Sequence, residues 1–274
     1  MRPERTDIAA PALPGRPRWL GVDERPKMDE LTARGPVLVH FFDFAQLNSV
    51  RALPYVIAWD ARYRGAGLTT LGVHSPRFPF TSGRATLGPA LGLLGVSHAV
   101  ADDSRFDIWH DYGCKGWPSL FLWNQGGALA WFHFGEGEYA TTEAAIVESL
   151  AATGSEFIAP EPLAPIRATD APGALVAPPS EEVFPGGASD RPWRPLADDS
   201  GLELRYEAGG AHASIDGTGA LRVAIDGGAA HEIEVAGPGL VDLAVHRRHE
   251  RHTLRVDADQ GIEIYSVSFS AGMP

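Results

Sequence analysis

The chain has one cysteine, Cys114, among its 274 residues. A single thiol excludes an internal disulfide, a dithiol redox pair and any cysteine-built metal site. Long apolar runs are also missing. The stretch Pro36–Phe44 is broken by His40 and Asp43, far short of the roughly 18 residues a membrane-spanning helix needs. The start, Met1 to Pro14, is punctuated by proline and holds no apolar core of a secretory leader, so the expected location is cytoplasmic. Basic residues are in the minority, 23 Lys and Arg against 35 Asp and Glu, for a net charge of −12. That balance argues against nucleic acid and anionic membrane as partners, because both recruit a basic face.

What is present is globular: 44% hydrophobic and 21% charged residues, in a length that suits two domains. Composition divides the chain into an N-terminal arm (1–17), an α/β domain (18–150), a Pro/Ala-rich linker (151–189) and a β domain (190–274). The linker carries Pro160, Pro162, Pro165, Pro172, Pro178, Pro179 and Pro185, which forbid helix and regular sheet. Phe157, Ile158, Leu163 and Ile166 are apolar enough to lay it against a domain surface.

In the first domain strand and helix periods alternate. Pro36–Phe42 reads as a strand buried on both faces. Asn48 or Ser49 offers a cap for a helix through Tyr55, Ile57 and Trp59 to Tyr63. Leu68–His74 is the next strand, and Leu87, Leu91 and Leu94 mark a helix ending at Gly95. Val96–Val100 follows as a strand and Phe106–Tyr112 as a short helix. Ser119–Trp123 and Ala128–Phe134 flank the hairpin signal Asn124-Gln125-Gly126-Gly127, and a helix opening at Thr141 or Thr142 runs to Leu150. The order predicts a mixed sheet flanked by helices.

The last 85 or so residues read as all-β. Leu202, Leu204 and Tyr206 alternate with charged residues, Leu221, Val223 and Ile225 with Arg222, Ala224 and Asp226, and the same period of two recurs in Ile233 and Val235, Leu254 and Val256, and Ile262 and Ile264. Turns at Asp216-Gly217, Asp226-Gly227-Gly228 and Gly237-Pro238-Gly239 separate them. Short, evenly spaced strands with one apolar face predict a jelly-roll-like β-sandwich.

The first domain resembles the thioredoxin superfamily, and within it the redoxin domains of TlpA/DipZ-like proteins. The residues that carry the likeness are Val37–Phe42, the segment Phe44-Ala45-Gln46-Leu47-Asn48-Ser49-Val50-Arg51-Ala52-Leu53-Pro54, the turn Gly72–Pro76, Trp117-Pro118 and Phe134–Tyr139. The C-terminal sandwich resembles the carbohydrate-binding-module-like domain that follows the redoxin domain in that family. Pro54 fixes a register that places the family's two redox cysteines at Gln46 and Ser49. Both thiols are absent, and disulfide exchange needs both. The resemblance further implies a cis peptide bond at Pro118.

Around Pro118 the fold is expected to collect a ligand-binding groove of Phe44, Gln46, Asn48, Ser49, Arg51, Trp117 and Pro118. Its occupant would be a peptide or small molecule, and no cofactor or metal is expected. The catalytic alternative rests on Cys114, His74, Asp43 and Glu136. In it, either Cys114 acts as a lone thiol made reactive by Lys115, or polar groups at the old dithiol site supply other chemistry. Each residue also has a structural role open to it: Asn48 and Ser49 as caps, Arg51 in a surface ion pair, His74 as a bonded strand-end histidine, and Glu136 on turn amides. His246, His249 and His252 lie among arginines and read as a solvated strand–turn–strand rather than a metal site. Trp193, Tyr206, Tyr265 and Phe269 either stack a sugar or fill the core. A protein or glycan contact by the sandwich is left open by the sequence.

Overall fold

The computed structural model describes residues 1–5, 7–15, 18–154, 157–195 and 201–274. The chain divides into two compact units: Met1–Phe44, Asn48–Pro76 and Ser82–Ala164 form the first, and Ala45–Leu47, Arg77–Thr81 and Pro165–Pro274 the second. No described helix is long and apolar enough to cross a membrane.

The first unit runs β1 (Arg18–Leu20), α1 (Met28–Arg34), β2 (Val37–Phe42), α2 (Leu47–Tyr63), β3 (Thr69–His74), α3 (Arg84–Leu93), β4 (Ala99–Asp102), α4 (Asp107–Asp111), β5 (Ser119–Trp123), β6 (Leu129–Phe134) and α5 (Tyr139–Ala151). Its six strands lie in the order β1-β4-β3-β2-β5-β6. β2, β3 and β4 are parallel, whereas β1, β5 and β6 run antiparallel to their neighbours. This is a thioredoxin-like fold. The unbroken apolar run of β2 follows from its central place. Val37, Val39 and Phe41 enter one core with Leu71, Val73, Trp109 and Phe121. Leu38 enters the other, beneath Tyr55, Val56 and Trp59 of α2 and Ile146 and Leu150 of α5. Alternation across a doubly covered sheet makes every position apolar. Gly72 in β3 is a contact requirement. A Cβ there would stand 2.9 Å from Val100 Cγ2 and 3.1 Å from Phe42 Cε1.

Two local features differ from the sequence expectation, and a third, the pairing of the chain start, adds to it. The last parallel strand begins at Ala99, not Val96, because Val96 N–H still closes the end of α3 on Leu91 O. The start of the chain pairs with the sheet edge: Leu129 N–H donates to Ile8 O, Ala10 N–H to Gly127 O and Phe132 N–H to Met1 O. These bonds satisfy backbone groups that an edge strand would otherwise expose. Neither Asn48 nor Ser49 is the cap of α2, since the helix already begins at Leu47.

The second unit contains β7 (Leu202–Asp216), β8 (Gly219–Ile225), β9 (His231–Val235), β10 (Gly239–Ala258) and β11 (Glu263–Ser270). They form one antiparallel sheet, ordered β11-β7-β10-β8-β9. All five strands feed a single core, among them Tyr206, Val223, Val235, Leu254 and Val267. Trp193 packs against that core, Tyr206 and Phe269 are buried within it, and Tyr265 is buried on Phe80. The aromatic set therefore fills interior space and does not present a stacking platform. The segment before β7 runs beside β11, bridging Ala177 to Gly272, Val183 to Val267 and Trp193 to Ile264.

The histidine-rich stretch is no strand–turn–strand. It lies inside the continuous β10, whose pairing with β7 breaks between Val245 and Glu250. Such a bulge changes which side chains share a face. Here it brings the His246 and His252 rings to 3.8 Å, stacked at 20°. Tyr206 OH bonds His246 Nε2 at 2.7 Å, and His252 Nδ1 bonds Asp226 Oδ2 at 2.7 Å. Side-chain packing, not solvation, accounts for these two histidines.

Candidate functional site

The cis peptide bond falls between Trp117 and Pro118, on the approach to β5. Pro118 is buried, and its carbonyl accepts the Gly135 N–H at 2.8 Å. That bond sets the next residue, Glu136, beside the start of α2. There the Arg51 guanidinium meets the Glu136 carboxylate, Nε to Oε1, at 2.6 Å. The pair is half-buried, with side-chain exposures of 15% and 24%. Arg51 thus has a carboxylate partner, as the sequence suggested, but away from the open surface. Glu136 gives its carboxylate to that pair, and its carbonyl lies 3.4 Å from His133 Nε2.

Trp117 is held by its indole, which donates to Ser75 O at 2.7 Å, and by packing on Trp109 at 4.5 Å between ring centroids. Ser49, where the sequence resemblance would put the second redox cysteine, is fully buried, and its Oγ accepts the Asp43 N–H at 3.2 Å. The hydroxyl therefore ties the strand exit to the first turn of α2. Phe44, Asp43 and Gln46 are buried, and Asn48 is half-buried. Gln46, where the resemblance would put the first redox cysteine, belongs with Ala45 and Leu47 to the second unit. Within that unit Ser214 Oγ donates to Ala45 O at 2.7 Å. Of the expected groove, then, Asn48, Arg51 and Trp117 keep partial exposure.

His74 ends β3 with its ring stacked on Phe44 at 5.1 Å and edge-on to Phe42 at 5.5 Å. Neither ring nitrogen meets a hydrogen-bond partner among the described residues. The bonded strand-end histidine is therefore not what is found. Burial pushes the His74 pKa down, and the nearby Asp43 and Asp102 only partly offset this. The same cause lowers His40, to about 3, with His98 adding to the effect. Apolar surroundings disfavour imidazolium, so both rings are neutral at pH 7.

The lone-thiol alternative meets a physical obstacle. Cys114 lies in the core with Phe41, Tyr112 and Phe121. Burial pushes its thiol up, away from the thiolate form, and the nearby Ser119 side chain recovers only part of that. Proximity of Lys115 in sequence does not overcome desolvation. Reactive thiols need a stabilised thiolate and access, and this one has neither. Among the described residues no group of three or more His, Cys, Asp or Glu side chains could hold a metal ion.

Residues 189–270 match the family model described as a thioredoxin-like C-terminal domain. The chain is similar to protein DipZ of Mycobacterium tuberculosis, 26% identical over 298 residues, covering 95% of this chain and 42% of DipZ. It is also similar to human NHL repeat-containing protein 2, 25% identical over 132 residues, covering 48% of this chain and 18% of that protein. Among solved structures, a thiol-disulfide isomerase from Corynebacterium glutamicum aligns at 18% identity with a TM-score of 0.45, covering 52% of this chain and 97% of that one. The chain therefore spans less than half the length of the DipZ protein it matches.

Proposed function

We propose that the first unit is a thioredoxin-fold binding module without dithiol chemistry, which holds an extended peptide along the Trp117 backbone beside the Arg51–Glu136 pair. One observation carries this reading. Among the described residues the Trp117 backbone N–H and C=O make no hydrogen bond, whereas Pro118 O is bonded to Gly135 and Ser119 enters β5. A free donor and acceptor on one residue next to a sheet suit an added extended strand. The half-buried ion pair supplies polar groups beside it, and the indole, fixed on Ser75 O, supplies an apolar wall. The absence of both family cysteines at Gln46 and Ser49 supports binding in place of exchange.

The test compares a cysteine-containing extended peptide with its serine analogue by titration calorimetry. Equal affinity for the two, lost in a variant carrying Trp117→Pro (which removes the N–H), supports the reading. Binding only of the cysteine form, or turnover of insulin disulfides, would overturn it.

A further inference from the structure

Three strands of the second unit bring together a serine, a histidine and an aspartate that are remote in sequence. His212 in β7 has Nδ1 at 2.7 Å from Asp242 Oδ1 in β10 and Nε2 at 3.0 Å from Ser270 Oγ at the end of β11. An ionised carboxylate can only accept, so Asp242 fixes the proton of the neutral ring on Nδ1. The Nε2 lone pair is then left to receive the serine proton, the arrangement a serine nucleophile requires. Neighbouring serines behave differently. Ser214, Ser266 and Ser268 donate to Ala45 O, Ser214 Oγ and Glu182 Oε1. A Cβ at Gly210 would stand 2.9 Å from both Ser270 Oγ and Ala244 O and 3.1 Å from His212 Nε2. Glycine at that position leaves room for Ser270 and His212 to meet.

We propose that Ser270, His212 and Asp242 form an acyl-transfer centre for small, acetyl-sized carboxylic esters. Size follows from access: Ser270 is 7% and His212 5% exposed, which admits only a small acyl group. Ser270 Oγ attacks the acyl carbon while its proton passes to His212 Nε2. The bond to the leaving alkoxide breaks, and the alkoxide takes that proton. Water then attacks the acyl-serine ester, giving its proton through His212 to Ser270 Oγ and releasing the carboxylic acid. Ester and water become acid and alcohol. Asp242, largely exposed at 69% of its side chain, is a positioning residue.

The experiment incubates the full chain with p-nitrophenyl acetate, follows p-nitrophenol release, and maps the acetyl group by peptide mass spectrometry. The expected result is one acetyl on Ser270, formed faster than on any other serine of the chain. His212→Gln should slow the reaction by roughly 100-fold. Asp242→Asn should slow it by roughly 10-fold and change the pH profile, with circular dichroism unchanged. Release of p-nitrophenol no faster than in buffer, with no acetyl on Ser270 in samples quenched early, would overturn the proposal. So would acetylation of Ser270 at a rate indifferent to His212→Gln.

Discussion

The Arg51 guanidinium and the Glu136 carboxylate, 85 residues apart in sequence, meet at 2.6 Å where α2 begins and the loop after β6 turns back. Each side chain is mostly shielded from solvent, so the pair is screened less than one on an open surface. It joins the helix that carries Ser49 to the loop bonded to Pro118.

Replacing either partner should therefore cost stability. Arg51→Ala and Glu136→Gln are each expected to lower the unfolding free energy by about 1–2 kcal/mol, the range for a charged hydrogen bond that keeps some solvent. Urea unfolding of both single variants and the double variant checks this. A double-mutant cycle with no coupling would show that the contact contributes nothing.

Much of the first unit was legible because its physical signals are local. The run Val37–Phe42 could only be a strand covered on both faces, and Asn124–Gly127 marked the hairpin between β5 and β6. Pro54, from which the resemblance takes its register, sits inside α2. The Arg51–Glu136 pair was not legible, because nothing local links residues so far apart. The His212–Asp242–Ser270 set escaped for the same reason. Its only sequence trace is the Gly209-Gly210 dipeptide, which periodicity treats as a defect in a strand. The stretch His246–His252 was misread because charged residues imitate a turn when a bulge disrupts the period of two.

Burial of Cys114 makes its reactivity a second check. At pH 8 the native protein should resist an aromatic disulfide reagent for hours and react fully once unfolded in guanidinium. Rapid native reaction near neutral pH would show an accessible thiolate and restore the lone-thiol alternative.

The buried histidines set an acid dependence. The folded pKa of His40, about 3, lies below its unfolded value near 6.5, so the unfolded chain takes up the proton first. Stability is fully present above about pH 6.5 and falls as pH drops toward 3. The His40 share at pH 5 is on the order of 2 kcal/mol. His74 and His98 act in the same direction. Urea midpoints between pH 8 and pH 5 should fall steadily, and His40→Leu should flatten the slope. An unchanged slope in that variant would mean that His40 does not bear the cost.

Gly72→Ala tests the packing of β3. With Val100 Cγ2 and Phe42 Cε1 so close to the new methyl, a loss of about 1–3 kcal/mol is expected from overpacking. Thermal unfolding measures it, and a neutral result would mean that β3 and β4 shift apart without cost.

Amide hydrogen exchange at Trp117 tests the binding reading most directly. With an extended peptide at saturating concentration, the Trp117 amide should become protected at least tenfold, while amides of the β2 core remain as they were. Binding that leaves Trp117 exchange unchanged would contradict the account and move the ligand elsewhere on the protein.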